Sequence, residues 1–304
     1  MESITHLPVM PEETVSFLTE NLPDSPVIVD ATLGAGGHAK LLLKKIARKN
    51  GLLIGIDLDE NTMSDTKEKL ADYNSICKFF TGNFSQIKNF LNSLGIEKIN
   101  GIVVDLGVSS MQLDNAQKGF SFQTSGPLDM RMGSSIELTA QDVVNKYPAE
   151  KLYEIIKNFG EERWARRIAN RIVEGREKNP ITTTDQFAQI VTSAIPAGFR
   201  YRQKIHPATR TFQAIRMEVN SELQSLEGLL DTFPEILADG AKAVVISFHS
   251  LEDRIVKNKF RELKNTHSFN LLTKKPLVPQ EEEILNNRRA RSAKMRIIEK
   301  IKGV

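Results

Sequence analysis

The sequence predicts an α/β protein, a mostly parallel sheet covered on both faces and interrupted by an all-helical insertion. Three observations carry this reading. Short apolar runs alternate with helical spacing through the N-terminal third, and a glycine-rich turn follows the first run. A further strand-like run then returns only after a long helical stretch. Residues 27–32 (VIVDAT), 52–57 (LLIGID), 76–81 (ICKFFT) and 101–106 (GIVVDL) read as strands, each a short and mostly apolar run, as expected of strands in a sheet covered on both faces. Between them, 39–49 and 61–73 carry helix-like spacing. Residues 241–248 (AKAVVISF) supply a fifth strand, and 269–273 and 293–301 the last ones. Residues 140–145, 149–158, 161–177 and 184–193 read as helices, punctuated by Pro148, Pro180 and Pro196, with N-cap candidates at 182–184. The helical insertion is therefore drawn at 116–207, inside a discontinuous α/β domain of residues 1–115 and 208–304. Residues 208–237 are expected to return the chain to the sheet as one long amphipathic helix.

Composition narrows the function. The chain has 304 residues, of which 40% are hydrophobic and 26% charged, as in ordinary globular proteins. It holds no apolar run of the ~18 residues that a spanning helix needs. Its first residues show no basic segment leading into an apolar one, so the cytoplasm is the expected compartment. A single cysteine, Cys77, excludes an internal disulfide and a multi-cysteine metal site. It is read as a core residue, which disfavours cytosine C5 chemistry through a thiolate. The net charge is +3, but unevenly spread. Residues 157–210 hold 11 Lys+Arg against 5 Asp+Glu, and residues 284–304 hold 7 against 1. Two basic islands in a nearly neutral chain suit a polyanionic partner that touches only part of the surface.

The strongest local signal is the string 30–38, DATLGAGGH. A strand ends in Asp30, and a glycine turn then opens a helix, an arrangement that suits a nucleotide-like cofactor. Asp57 ends the next strand roughly 20 residues past the turn, where a carboxylate can bind ribose hydroxyls. The turn alone also fits a loose dinucleotide fingerprint. Asp30, and Asp105 at the end of the fourth strand, favour a cationic cofactor, S-adenosylmethionine, because carboxylates repel a pyrophosphate. A nicotinamide-dependent oxidoreductase and a non-catalytic RNA-binding factor remain the alternatives. After Asp105 the loop DLGVSSMQLD (105–114) offers Ser109 and Ser110, hydroxyls able to orient a base edge. Arg163, Arg166 and Arg167 on the basic helix, and Arg202 beside aromatic residues in a following loop, are candidate RNA contacts. No His/Asp/Glu spacing resembles a metal site.

These strings occur together with 118–122 (KGFSF), 126–132 (GPLDMRM), 159–163 (FGEER), 206–213 (HPATRTFQ) and 247–254 (SFHSLEDR). In this order they closely resemble the bacterial 16S rRNA cytosine-N4 methyltransferase family, known as RsmH or MraW, over nearly the whole chain. The resemblance implies a class I, Rossmann-like S-adenosylmethionine-dependent methyltransferase with an inserted helical substrate domain. It implies methylation of cytidine 1402 in the decoding centre of 16S rRNA, on a small ribosomal subunit particle; the sequence leaves monomer or dimer open. It places cofactor contacts on Gly36, Gly37, His38, Asp57, Phe84, Asp105 and Gln112. The proton acceptor is then Asp105 or a nearby loop carbonyl. The chain departs from the family at Lys118, Gly133 and Arg288, where arginine, aspartate and proline are usual, which bears on RNA contacts rather than on the cofactor.

Overall fold

In the computed structural model, which describes residues 7–200 and 205–303, seven strands form one sheet. They are β1 (Val27–Asp30), β2 (Leu52–Asp57), β3 (Cys77–Thr81), β4 (Ile99–Asp105), β5 (Leu237–Ser247), β6 (Phe269–Leu271) and β7 (Lys294–Lys300), in the order β3-β2-β1-β4-β5-β7-β6. The first five pair in parallel, and β7 lies antiparallel between β5 and β6. This bears out the class I methyltransferase expectation. A dinucleotide-binding sheet of order 3-2-1-4-5-6 has no such antiparallel insertion.

Contacts divide the chain into two compact units, one running to Gly107 and resuming at Leu223, the other comprising Val108–Glu222. The sequence spacing draws the insertion at 116–207. In the first unit, α1 (Pro11–Thr19), α2 (Gly37–Ile46), α3 (Glu60–Lys69) and α4 (Ile87–Ser93) alternate with the strands. The second holds α5 (Ser110–Asp114), α6 (Ala140–Lys146), α7 (Ala149–Asn158), α8 (Ala165–Lys178), α9 (Thr184–Ala194), α10 (Ala197–Arg200) and α11 (Thr209–Asn220). Then α12 (Glu222–Ile236) leads into β5, α13 (Ser250–Asn265) follows it, and α14 (Glu281–Asn286) precedes β7.

Alternation along each strand sends successive side chains to opposite faces, and both faces are apolar. Val29, Ile54, Ile102, Val104 and Val245 pack against α4, α12 and α13 through residues such as Leu91, Phe233 and Phe260. Ile28, Leu53, Val103 and Val244 pack against α1 and α2 through Leu18, Leu42, Leu43 and Ile46. In the second unit α8 packs on α7 and α9, burying Ile156, Ile168, Ile172 and Phe187. Thr183 is the N-cap of α9, as the threonine cluster predicts.

Three expected helices are corrected. Residues 208–237 are not one helix: Ser221 takes a left-handed conformation (φ 49°) that ends α11, and α12 starts afresh. The basic helix begins at Ala165 rather than Glu161, because Glu161 is itself left-handed (φ 47°) and Trp164 is the N-cap. Helix α3 stops at Lys69 and gives way to a 3₁₀ turn, Ala71–Ile76.

Candidate active site

The strand order reverses between β1 and β4, which opens a crevice outside their carboxyl ends. Asp30, Asp57 and Asp105 are the last residues of β1, β2 and β4. The chain leaves β1 through the glycine turn, with Gly34 (φ 48°) and Gly36 (φ 77°) in the left-handed region. Glycine is required at 36 twice over: the backbone angle disfavours a side chain, and a Cβ there would lie 2.7 Å from Thr66 Cγ2. Asp57 holds this turn in place. Its Oδ2 accepts from Gly34 N–H (2.7 Å) and its Oδ1 from Asp59 N–H (2.9 Å). Thr66 Oγ1 donates to the Gly34 carbonyl (2.7 Å), while Thr32 Oγ1 accepts from Asp105 N–H (2.7 Å). The turn, β2, α3 and β4 are thus laced together around one strand end.

His38, in the first turn of α2, brings its Nε2 to 3.5 Å from Asp105 Oδ2. Asp30 Oδ2, Asp105 Oδ1 and both ring nitrogens of His38 are buried without hydrogen-bond partners among the described residues. Burial pushes Asp30 up to about 6, with His38 pulling it back and Asp105 and Asp57 adding repulsion. Asp57 is raised as well, again chiefly by burial and against its backbone hydrogen bonds. Burial works to lower His38, but the pull of Asp105 and Asp30 outweighs it and leaves the ring more basic than an ordinary histidine. A buried cluster whose acidic groups outnumber its bases, with acceptor atoms unused, suits a cationic ligand carrying N–H donors.

The remaining expected residues fall in different surroundings. Gly37 starts α2, and a Cβ added to it would meet Pro8 at 3.0 Å. Phe84 follows β3 and is half-buried against the sheet core. Gln112 lies in the second unit, its side chain engaged in a capping box: Oε1 accepts from Ser109 N–H (3.1 Å) and Nε2 donates to the Met132 carbonyl (3.3 Å). Ser109 Oγ accepts from Gln112 N–H and is used in the same box. Ser110 begins α5, but its side chain lies outside what the structure describes, and Arg202 lies outside the described residues altogether. Arg166 forms a bidentate pair with Glu150 and stacks on Tyr153 (3.7 Å to the ring centroid). Arg163 lies over Trp164 and Phe199, and Arg167 over Trp164. Neither Arg163 nor Arg167 has an ion pair among the described residues, so their charge is open to a phosphate.

The threonines that brace the turn escape sequence reasoning. Thr32 sits inside the glycine string, where its hydroxyl was the available signal; Thr66, on a polar helix far along the chain, gave none. His249 and His206 take structural roles. His249 Nδ1 accepts from Glu252 N–H (3.4 Å) as the N-cap of α13, and His206 Nδ1 accepts from Ala208 N–H (3.2 Å) while its ring packs on Phe122. Cys77 is buried at the start of β3, and burial pushes its thiol up to about 11. Among the described residues no group of three His, Cys, Asp or Glu is placed to hold a metal, and no helix is long and apolar enough to cross a membrane.

A family model described as the MraW methylase family matches residues 3–301. A ribosomal RNA small subunit methyltransferase H from Clostridium botulinum (strain Kyoto / Type A2) is 45% identical over 311 residues, covering 97% of this chain and 99% of its own. The protein of that name from Caldicellulosiruptor bescii is 47% identical at the same coverage. The one from Carboxydothermus hydrogenoformans is 46% identical, covering 98% of each chain.

Proposed function

Because this chain belongs to the MraW methylase family, we propose that it methylates small-subunit ribosomal RNA, at the exocyclic N4 of one decoding-centre cytidine of 16S rRNA. The names of its relatives support the RNA substrate. The cofactor is S-adenosylmethionine, and the observation that carries the reading is how well the crevice fits it. Asp30 and Asp105 each keep a buried carboxylate oxygen without a partner, beside a turn that Asp57 fixes. A positively charged ligand with an amino group satisfies Asp30 Oδ2 and leaves Asp105 Oδ1 to the substrate, whereas a pyrophosphate would meet three carboxylates at the ends of neighbouring strands. Gly36, Gly37, His38, Asp57, Phe84 and Asp105 are the residues that would hold it in this unit. Gln112, the other residue that the resemblance names, belongs to α5 of the second unit.

When bound, S-adenosylmethionine supplies an electrophilic methyl group on a sulfonium. Cytosine N4 is a poor nucleophile, since its lone pair is delocalised into the ring, so alignment and exclusion of water carry much of the rate. Asp105 Oδ1 accepts a hydrogen bond from that amine and takes its proton, while the basic His38 beside Oδ2 balances the charge of the carboxylate. Arg163, Arg166, Arg167 and Arg202, with Ser109 and Ser110, form the RNA-contacting set on this reading, the substrate being an assembled small-subunit particle. The target base has to leave its stack to present N4.

Mass mapping of 16S rRNA from cells with and without the gene tests the reading. One cytidine methyl group is expected to vanish in its absence and to return with the wild-type gene. An identical methylation pattern in both strains would refute it.

A further inference from the structure

The C-terminal basic island and the SFHSLEDR string stand apart in sequence and are not used by the chemistry above, yet the fold joins them. Residue Ser247, the last of β5, pairs with Lys294, the first of β7, and Ser247 Oγ donates to the Lys294 carbonyl (3.3 Å). The segments that continue from these two strand ends enclose an open cavity of about 280 Å³ between Phe248, His249, Val278, Arg291, Ser292 and Lys294. It lies at the same end of the sheet as the methyl-transfer crevice. Asp105 pairs with Ile246, and a Cβ on Gly107 would come within 3.7 Å of the Phe248 ring.

The chemistry of this cavity is divided. Phe248 is half-buried and Val278 is 58% exposed, and together they form an apolar wall. Opposite stand a guanidinium, an ammonium and a hydroxyl. Arg291 is exposed and makes no ion pair among the described residues. Lys294 keeps a loose contact with Asp253 (3.4 Å), whose other oxygen is taken by Arg296 (2.7 Å). Glu252, on α13, is buried and bonded to the backbone N–H groups of Phe248 and His249. Arg291 therefore offers an exposed positive charge at the rim.

We propose that this cavity is a second RNA subsite, which takes one nucleotide of the substrate strand other than the methylated one. Its phosphodiester lies on Arg291 and Lys294, and its base lies against Phe248 and Val278. This rests on the RNA-directed reading above and extends it to a surface on the sheet unit, beside the strand that neighbours β4.

The test is anisotropy of a fluorescently labelled oligoribocytidylate, about a dozen nucleotides long, titrated with full-length protein at several KCl concentrations. Isothermal titration with S-adenosylmethionine runs alongside. Arg291→Ala is expected to weaken oligonucleotide binding about 10-fold and to flatten the dependence of log K on log salt by roughly 0.7, one phosphate contact on a single strand. Affinity for the cofactor stays at the wild-type value. Arg291→Lys recovers most of the binding, and Phe248→Leu weakens it without changing the salt slope. Wild-type affinity and slope in Arg291→Ala would overturn the proposal, as would a parallel loss of cofactor affinity, or a wild-type protein that does not bind the probe. Arg291-dependent binding by a protein that leaves 16S rRNA unmethylated would keep the subsite and remove the methylation reading.

Discussion

Replacing Asp30 by asparagine separates the stability of the crevice from its function. Asp30 is fully buried at the end of β1, with Oδ1 accepting from Thr32 N–H (3.3 Å) and Oδ2 without a partner. Burial, the largest influence, carries its pKa from 3.8 to about 6. The folded chain therefore holds this proton more tightly than the unfolded chain does. Whatever stability the group gives is complete below about pH 4 and is lost as the pH rises through about 6. At ~1.4 kcal/mol for each pH unit between the two values, the ionised carboxylate costs roughly 3 kcal/mol at pH 8. Asparagine keeps the acceptor for Thr32 and removes the charge. The variant is expected to match the wild type in urea unfolding near pH 4, and to be more stable by up to about 3 kcal/mol at pH 8. It should also bind S-adenosylmethionine more weakly, while wild-type affinity falls as the pH drops below about 6. Circular dichroism in urea at three pH values, with calorimetric cofactor titration, measures both. A stability difference that does not grow with pH, or unchanged cofactor affinity, would refute the electrostatic account of the crevice.

Asp57→Ala removes the acceptor for Gly34 and Asp59, and cofactor binding is expected to be lost in calorimetry; normal affinity would count against the turn as the binding element. Reversal of Arg166 and Arg167 to glutamate should leave cofactor affinity intact and raise the KM for small ribosomal subunits about 10-fold, in line with ~1.4 kcal/mol of lost phosphate contact. An unchanged KM would remove that surface from the RNA interface. Gly126→Ala places a Cβ 1.9 Å from the Ala116 carbonyl oxygen, a backbone atom that cannot step aside. It should cost about 3 kcal/mol in thermal or urea unfolding, and a variant as stable as the wild type would show that this approach relaxes freely.

Motifs that look alike in sequence turn out to differ in what they do. DATLGAGGH supplies both the buried polar cluster and packing, since Asp30 and His38 belong to that cluster while Gly36 lies against Thr66. GPLDMRM is a brace. Gly126 is pressed onto Ala116, Asp129 pairs with Arg131 (2.8 Å), and the buried Asn220 amide accepts from Met132 N–H and donates to the Met130 carbonyl. Arg166, read as an RNA contact, already shares its charge with Glu150, a partner on the neighbouring helix that spacing alone does not reveal.

By itself the sequence determined the strands, the glycine turn, the helical insertion and the family, because each is written in local periodicity or in contiguous strings. It also placed Asp30, Asp57 and Asp105 at strand ends. Only the tertiary structure decided that β7 runs antiparallel between β5 and β6, that residues 208–237 break at Ser221, and that His38 meets Asp105. It also decided that Arg291 shares a cavity with Phe248. These depend on which distant residues are brought together as the apolar faces are buried. A local pattern encodes the need for such a partner but not its identity.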